Sequence, residues 1–136
     1  MTRDVYLGFL KLYGEENEET LTTAHNYASS LLDLQRFKET KALLRKTMPL
    51  ARRVLGEGHR LTLKMRWCYA LALSRDNGAT LDDLREAVTT LESVANSWKQ
   101  VFGQAHPETP MVQGALEMAR KTLARATAAS ESKPPP

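Results

Sequence analysis

Three histidines, one cysteine and two tryptophans carry most of the chemical potential of this chain, and their spacing limits what each could do. His59 and His106 recur in similar surroundings, Gly56-Glu57-Gly58-His59 and Gly103-Gln104-Ala105-His106. A recurring pair invites a zinc site, but the ligand spacings that helical zinc sites use are missing around both. The same slot holds Asn17 in a further copy, Gly14-Glu15-Glu16-Asn17, and asparagine is a favoured helix N-cap. Capping accounts for all three positions, so neither a metal nor a cofactor is expected. Cys68, the single cysteine, lies among Trp67, Tyr69 and Ala70 with no His or Asp constellation beside it, and reads as a buried, inert thiol. His25 reads as a solvated histidine, with contact to an acidic ligand as the alternative. No Gly-rich phosphate loop, nucleophile elbow, catalytic carboxylate pair or His-Glu-x-x-His motif is present, and the chain is not expected to be an enzyme.

The elements that position these residues follow from a repeat. Gly14-Glu15-Glu16-Asn17-Glu18-Glu19-Thr20-Leu21 returns as Gly56-Glu57-Gly58-His59-Arg60-Leu61-Thr62-Leu63 and again as Gly103-Gln104-Ala105-His106-Pro107-Glu108-Thr109-Pro110. The copies lie about 42 and then about 47 residues apart, periods that belong to stacked two-helix units. After each block comes an apolar stripe at helical spacing: Leu21, Ala24, Ala28, Leu31 and Leu32; then Leu63, Trp67, Ala70, Leu71 and Leu73; then Val112, Leu116, Ala119, Leu123 and Ala126. Second helices follow, in which Phe37, Leu43, Leu44, Thr47, Met48, Ala51 and Leu55 align with Leu84, Thr90, Leu91, Val94, Ala95, Trp98 and Phe102. The longer spacing of the later copies falls at Arg75-Asp76-Asn77-Gly78-Ala79, a turn, before Thr80-Leu81-Asp82-Asp83, which reads as a capping box.

Gly14, Gly56 and Gly103 each follow a large apolar residue, where a left-handed helix C-cap is expected. Val5, Tyr6, Phe9 and Tyr13 fall in register with the second helices, so the chain is expected to open inside the second helix of a truncated repeat. These readings give an all-α domain over 3–129, with about six helices in antiparallel pairs wound into a right-handed superhelix. Its parts are a second helix at 3–13, a repeat at 17–55, a repeat with a longer inter-helix loop at 59–102, and a capping helix at 107–129. Gln113, Glu117, Arg120, Lys121 and Arg125 form the polar side of that last helix, and residues 130–136 are expected as a disordered Pro-rich tail.

With the registers fixed, the chain resembles the tetratricopeptide repeat, in its roughly 42-residue variety typified by kinesin light chains. The resemblance rests on the linkers Leu55-Gly56-Glu57-Gly58-His59 and Val101-Phe102-Gly103-Gln104-Ala105-His106-Pro107-Glu108-Thr109, on Asn26-Tyr27-Ala28, and on Gln35-Arg36-Phe37-Lys38-Glu39-Thr40. Departures are Gln35 in place of the turn glycine, Thr40 in place of a small residue, and Glu117 where Ala28 and Ala70 stand in the other copies. The resemblance implies a peptide or partner segment lying along the first helices, and so a scaffold within a larger adaptor or sensor protein. It makes Thr22, His25, Asn26, Ser29, Asp33, Lys64, Trp67, Cys68, Leu71 and Arg75 the groove candidates. Asn26 matches a family asparagine that bonds ligand backbone, and an amide can both donate and accept. Trp98 belongs to the core, whereas Trp67 is shared between packing and ligand contact. Lys64 and Arg75 flank Trp67 and could hold a ligand carboxylate.

Bulk properties leave two alternatives. At 136 residues and net charge +3 the chain is one ordinary soluble domain, with no apolar run long enough to span a membrane and no signal-peptide pattern, and a cytoplasmic setting is expected. Between Arg36 and Arg66 lie ten Lys or Arg and only two acids, so an anionic surface or nucleic acid is a rival partner. Poor aromatic interleaving argues against nucleic acid. The other alternative is a structural segment that self-associates through the N-terminal helix, whose apolar face lacks its usual cover.

Overall fold

The computed structural model describes residues 1–131, and these form six α-helices: α1 (Thr2–Tyr13), α2 (Glu18–Asp33), α3 (Phe37–Leu55), α4 (Arg60–Arg75), α5 (Leu81–Phe102) and α6 (Thr109–Glu131). Each helix packs on the next in sequence, and α2 also touches α4, as α4 touches α6. Among the described residues no comparable contact joins α1 to α3 or α3 to α5. The first helices of successive units therefore form a tight inner layer, and the second helices a splayed outer one. That difference curves the stack and makes the α2–α4–α6 side concave.

Burial follows the apolar stripes. Ala24, Ala28, Ala70, Ala72 and Ala87 are fully buried, small enough for paired helices to approach closely, while Leu21, Leu44, Leu63, Leu73 and Leu91 fill the layers between. A second cluster of Leu63, Val94, Trp98 and Val112 seats α6. Trp98 is completely buried, with Phe102 4.6 Å from it, centroid to centroid, and His106 edge-on at 5.4 Å. A buried threonine recurs with the repeat. The hydroxyls of Thr20, Thr62 and Thr109 donate to the carbonyls of Phe9, Ala51 and Gly103, pinning each first helix to the element before it.

The helix ends explain why α-helices stop and start here. Thr80 and Asp83 form the expected capping box, Asp83 N–H donating to Thr80 Oγ1 at 3.1 Å and Thr80 N–H to Asp83 Oδ2 at 3.0 Å. Gly14, Gly56 and Gly103 have φ of 83, 96 and 84° but ψ between 161 and 168°, not the left-handed helical values expected of them. Each glycine N–H still closes a helical bond, to the carbonyls of Leu10, Arg52 and Lys99, before the chain swings out extended. That region is nearly closed to side chains other than glycine. The left-handed cap falls on Gln35 instead, at φ 60°. Its N–H donates to the Leu32 carbonyl and Arg36 N–H to Leu31, the paired bonds of a Schellman motif.

Two boundaries differ from those the sequence suggests. Helix α6 begins at Thr109, not Pro107, because Pro110 has no N–H to give the His106 carbonyl; Thr109 N–H takes that acceptor at 3.0 Å in a tighter first turn. It also runs through Ser130 and Glu131, where the sequence suggests the tail, while residues 132–136 lie outside the described residues.

Candidate functional site: the concave face

The caps set the inner layer. Asn17 Oδ1 accepts from Glu19 and Thr20 N–H at 2.8 and 3.3 Å, starting α2. His59 Nδ1 accepts from Leu61 N–H at 3.1 Å, and His106 Nδ1 from Glu108 N–H at 3.0 Å. Both imidazoles thus take backbone N–H groups at the start of their segments, as Asn17 does.

The three first helices so placed frame three contiguous depressions. One of about 320 Å³ lies over Thr22, His25, Asn26 and Lys64, with Glu18, His59 and Arg60 at its rim. The next, about 220 Å³, is lined by His25, Ser29, Asp33, Lys64, Trp67, Cys68, Leu71, Glu108 and Met111. The last, about 420 Å³, runs between Trp67, Leu71 and Arg75 of α4 and Met111, Gly114, Ala115 and Met118 of α6. Every groove candidate named from the sequence thus lines this one face.

Its electrostatics differ from the expectation. His25 is largely buried, not solvated, and burial together with Lys64 and Arg60 lowers its pKa to about 4, so it is neutral at pH 7. Lys64 already faces a carboxylate of the chain itself. Glu108 Oε1 lies 3.2 Å from its Nζ and 3.3 Å from Arg60 Nη2. Arg75 has no ion pair among the described residues and keeps its charge exposed. Burial pushes the Cys68 thiol up to about 12, which makes it unreactive at neutral pH, as its apolar neighbours imply. Trp67 is half-buried, its ring edge-on to Trp98 at 6.1 Å, and its Nε1–H is enclosed without an acceptor among the described residues. The ring is therefore both packing and groove wall.

A family model for the tetratricopeptide repeat matches residues 20–61, from the buried Thr20 through α3 to the start of α4. The chain carries a tetratricopeptide repeat. No curated protein and no solved structure matches it. The tetratricopeptide frame also accounts for what sequence reasoning missed. Met111, Gly114, Ala115, Met118 and Thr122 stand one repeat beyond Lys64, Trp67, Cys68, Leu71 and Arg75, and the structure places them on the same groove. The period that located the α4 residues was sufficient to find them. Glu108 carried no comparable signal, since its partners belong to a different repeat.

Proposed function

We propose that this chain is a non-catalytic interaction scaffold whose α2–α4–α6 face binds a peptide or partner segment. The convergence of Asn26, Trp67, Leu71, Met111 and Met118 on one continuous groove carries the reading. Asn26 offers exposed amide donor and acceptor groups to a peptide backbone, and the Trp67 ring and two methionines offer adaptable apolar contact. Tetratricopeptide repeats are generally non-enzymatic protein-interaction modules, which supports the same conclusion. We infer the kinesin-light-chain-like variety from the Gly-x-x-His linkers. Among the described residues no helix is long and apolar enough to cross a membrane.

The basic stretch supports a protein partner over nucleic acid. Arg36, Lys41, Arg52, Arg53, Arg60, Lys64 and Arg66 each pair with a carboxylate, and Arg45 bonds the Tyr69 hydroxyl at 3.1 Å. Cations that already face carboxylates neutralise phosphates less well, so fewer counterions would leave a nucleic acid on binding. The test is selection of a displayed library of random 12-residue peptides on the full chain and on the Asn26→Ala/Trp67→Ala variant. Enrichment on the wild type that is lost in the variant supports the groove; enrichment unaffected by the double change refutes it.

A second surface fits another copy of this chain. Met1, Val5 and Leu12 are exposed at 102, 49 and 74%, and with Gly8, which meets nothing within 4 Å, they form a stripe of alternating four- and three-residue spacing. That is the spacing of a coiled-coil seam. Asp4 and Lys11 flank it without ion pairs among the described residues, and an antiparallel two-fold pairing of α1 brings these opposite charges together. Sedimentation should show concentration-dependent dimers that Leu12→Glu abolishes. A monomer at high concentration overturns the pairing.

A further inference from the structure

The groove holds its cations in an unusual state. Lys64 and Arg60 both point at a single carboxylate, Glu108, from the turn before α6. Lys64 and Glu108 are 24 and 25% exposed, so the pairing lies in the groove wall and not in open solvent. Glu108 Oε2 is enclosed and has no hydrogen-bond partner among the described residues. A carboxylate held by two cations is what an acidic ligand would supply, and the chain already supplies it. Beyond that point the surface turns apolar, with Met111 and Met118 about 60% exposed beside Leu71.

We propose that Glu108 sets the specificity of the groove at this point: by pairing with Arg60 and Lys64 it disfavours a ligand carboxylate here, whereas Arg75 in the adjoining depression stays unpaired among the described residues, and it leaves this point for a segment with large apolar anchors and no carboxylate. The inference rests on the groove reading above. An incoming carboxylate would have to displace Glu108 or sit beside it, where like charges repel and where Glu108 already offsets part of the pull of Arg60 and Lys64. An apolar segment pays no such penalty. It covers Met111, Met118 and Leu71. Asp33, also on the groove wall, adds to the bias against acidic ligands.

The experiment repeats the peptide selection on the full-length wild type, on Glu108→Gln and on Met111→Asp, each checked for unchanged helix content, and then measures individual peptides by fluorescence anisotropy. Wild type should enrich Leu, Met, Phe and Trp and deplete Asp and Glu. Glu108→Gln, which keeps the size and hydrogen-bonding reach of the side chain, should readmit acidic peptides and tighten them about tenfold, while apolar peptides change less than about threefold. Met111→Asp should weaken the apolar peptides. Equal Asp and Glu content in the wild-type and Glu108→Gln pools, with Met111→Asp still weakening binding, overturns the role of Glu108 and leaves the groove intact. Acidic peptides dominating the wild-type pool overturn it as well. No enrichment on any of the three proteins removes the groove reading itself.

Discussion

Replacing Gln35 with glycine should stabilise this protein, although glycine ordinarily weakens helices. Gln35 sits at φ 60°, just past the end of α2, as the left-handed residue of a Schellman motif. A side chain in that conformation costs about 1–2 kcal/mol from the clash of Cβ with the following carbonyl. Glycine removes the clash but loses more backbone entropy on folding, about 0.5–1 kcal/mol. The residue is exposed and none of its side-chain atoms bonds elsewhere in the fold, so little else changes. The net gain is about 0.5–1 kcal/mol, or roughly 2–5 °C in melting temperature for a domain of this size. Gly56→Ala is the reciprocal experiment. Its Cβ would meet nothing within 4 Å, so the whole cost is backbone strain at φ 96°, about 1–3 kcal/mol. Urea titrations followed by circular dichroism measure both. If Gln35→Gly is neutral or destabilising while Gly56→Ala behaves as stated, the left-handed cap at Gln35 is misassigned and the reasoning fails.

Other consequences are testable in the same assays. His25 has a pKa of about 4 in the fold against 6.5 as a free side chain, so the unfolded chain alone takes up a proton between those values. Stability should therefore be full above about pH 6.5 and decline as pH falls toward 4, by at most about 3 kcal/mol, with His25→Gln flattening that slope in urea titrations across the range. Ala70→Leu, at a fully buried helix contact, should cost about 1–3 kcal/mol, and Ser29→Leu on the groove wall clearly less; equal effects would mean the repeat frame is displaced by one residue. Oligonucleotides should bind weakly at about 0.15 M salt, and tight, steeply salt-dependent binding would restore the nucleic-acid reading.

The fold was legible because its signals are local and recur. The Gly blocks, the alanines of the helix contacts and the Thr80–Asp83 box each occupy fixed places in a period, and a period needs no three-dimensional knowledge. What the period cannot convey is a single residue acting against its slot. Pro110 stands where Leu21 and Leu63 stand, and removing one N–H was enough to delay α6 by two residues. Gln35 adopts the conformation of the turn glycine that it replaces in the family pattern, which its residue type conceals. His25 reads as solvated from its own neighbours in sequence; the groups that desolvate and repel its proton, Lys64 and Arg60, come from the next repeat.

The same distinction accounts for the groove's charge. Lys64 and Arg75 look alike in sequence, two cations flanking Trp67, yet only Arg75 remains unpaired among the described residues. The difference is α6. Its outward side carries Glu117 and Arg120 where the earlier first helices carry Ala28 and Ala70, Leu31 and Leu73, all buried, and both charged residues are exposed. Its inward side keeps Val112, Leu116 and Ala119 for the core and presents Met111 and Met118 to the groove, while Glu108 in the preceding turn reaches back to α4. One helix thus adds apolar surface to the groove, and the turn before it offsets part of the charge of the groove wall.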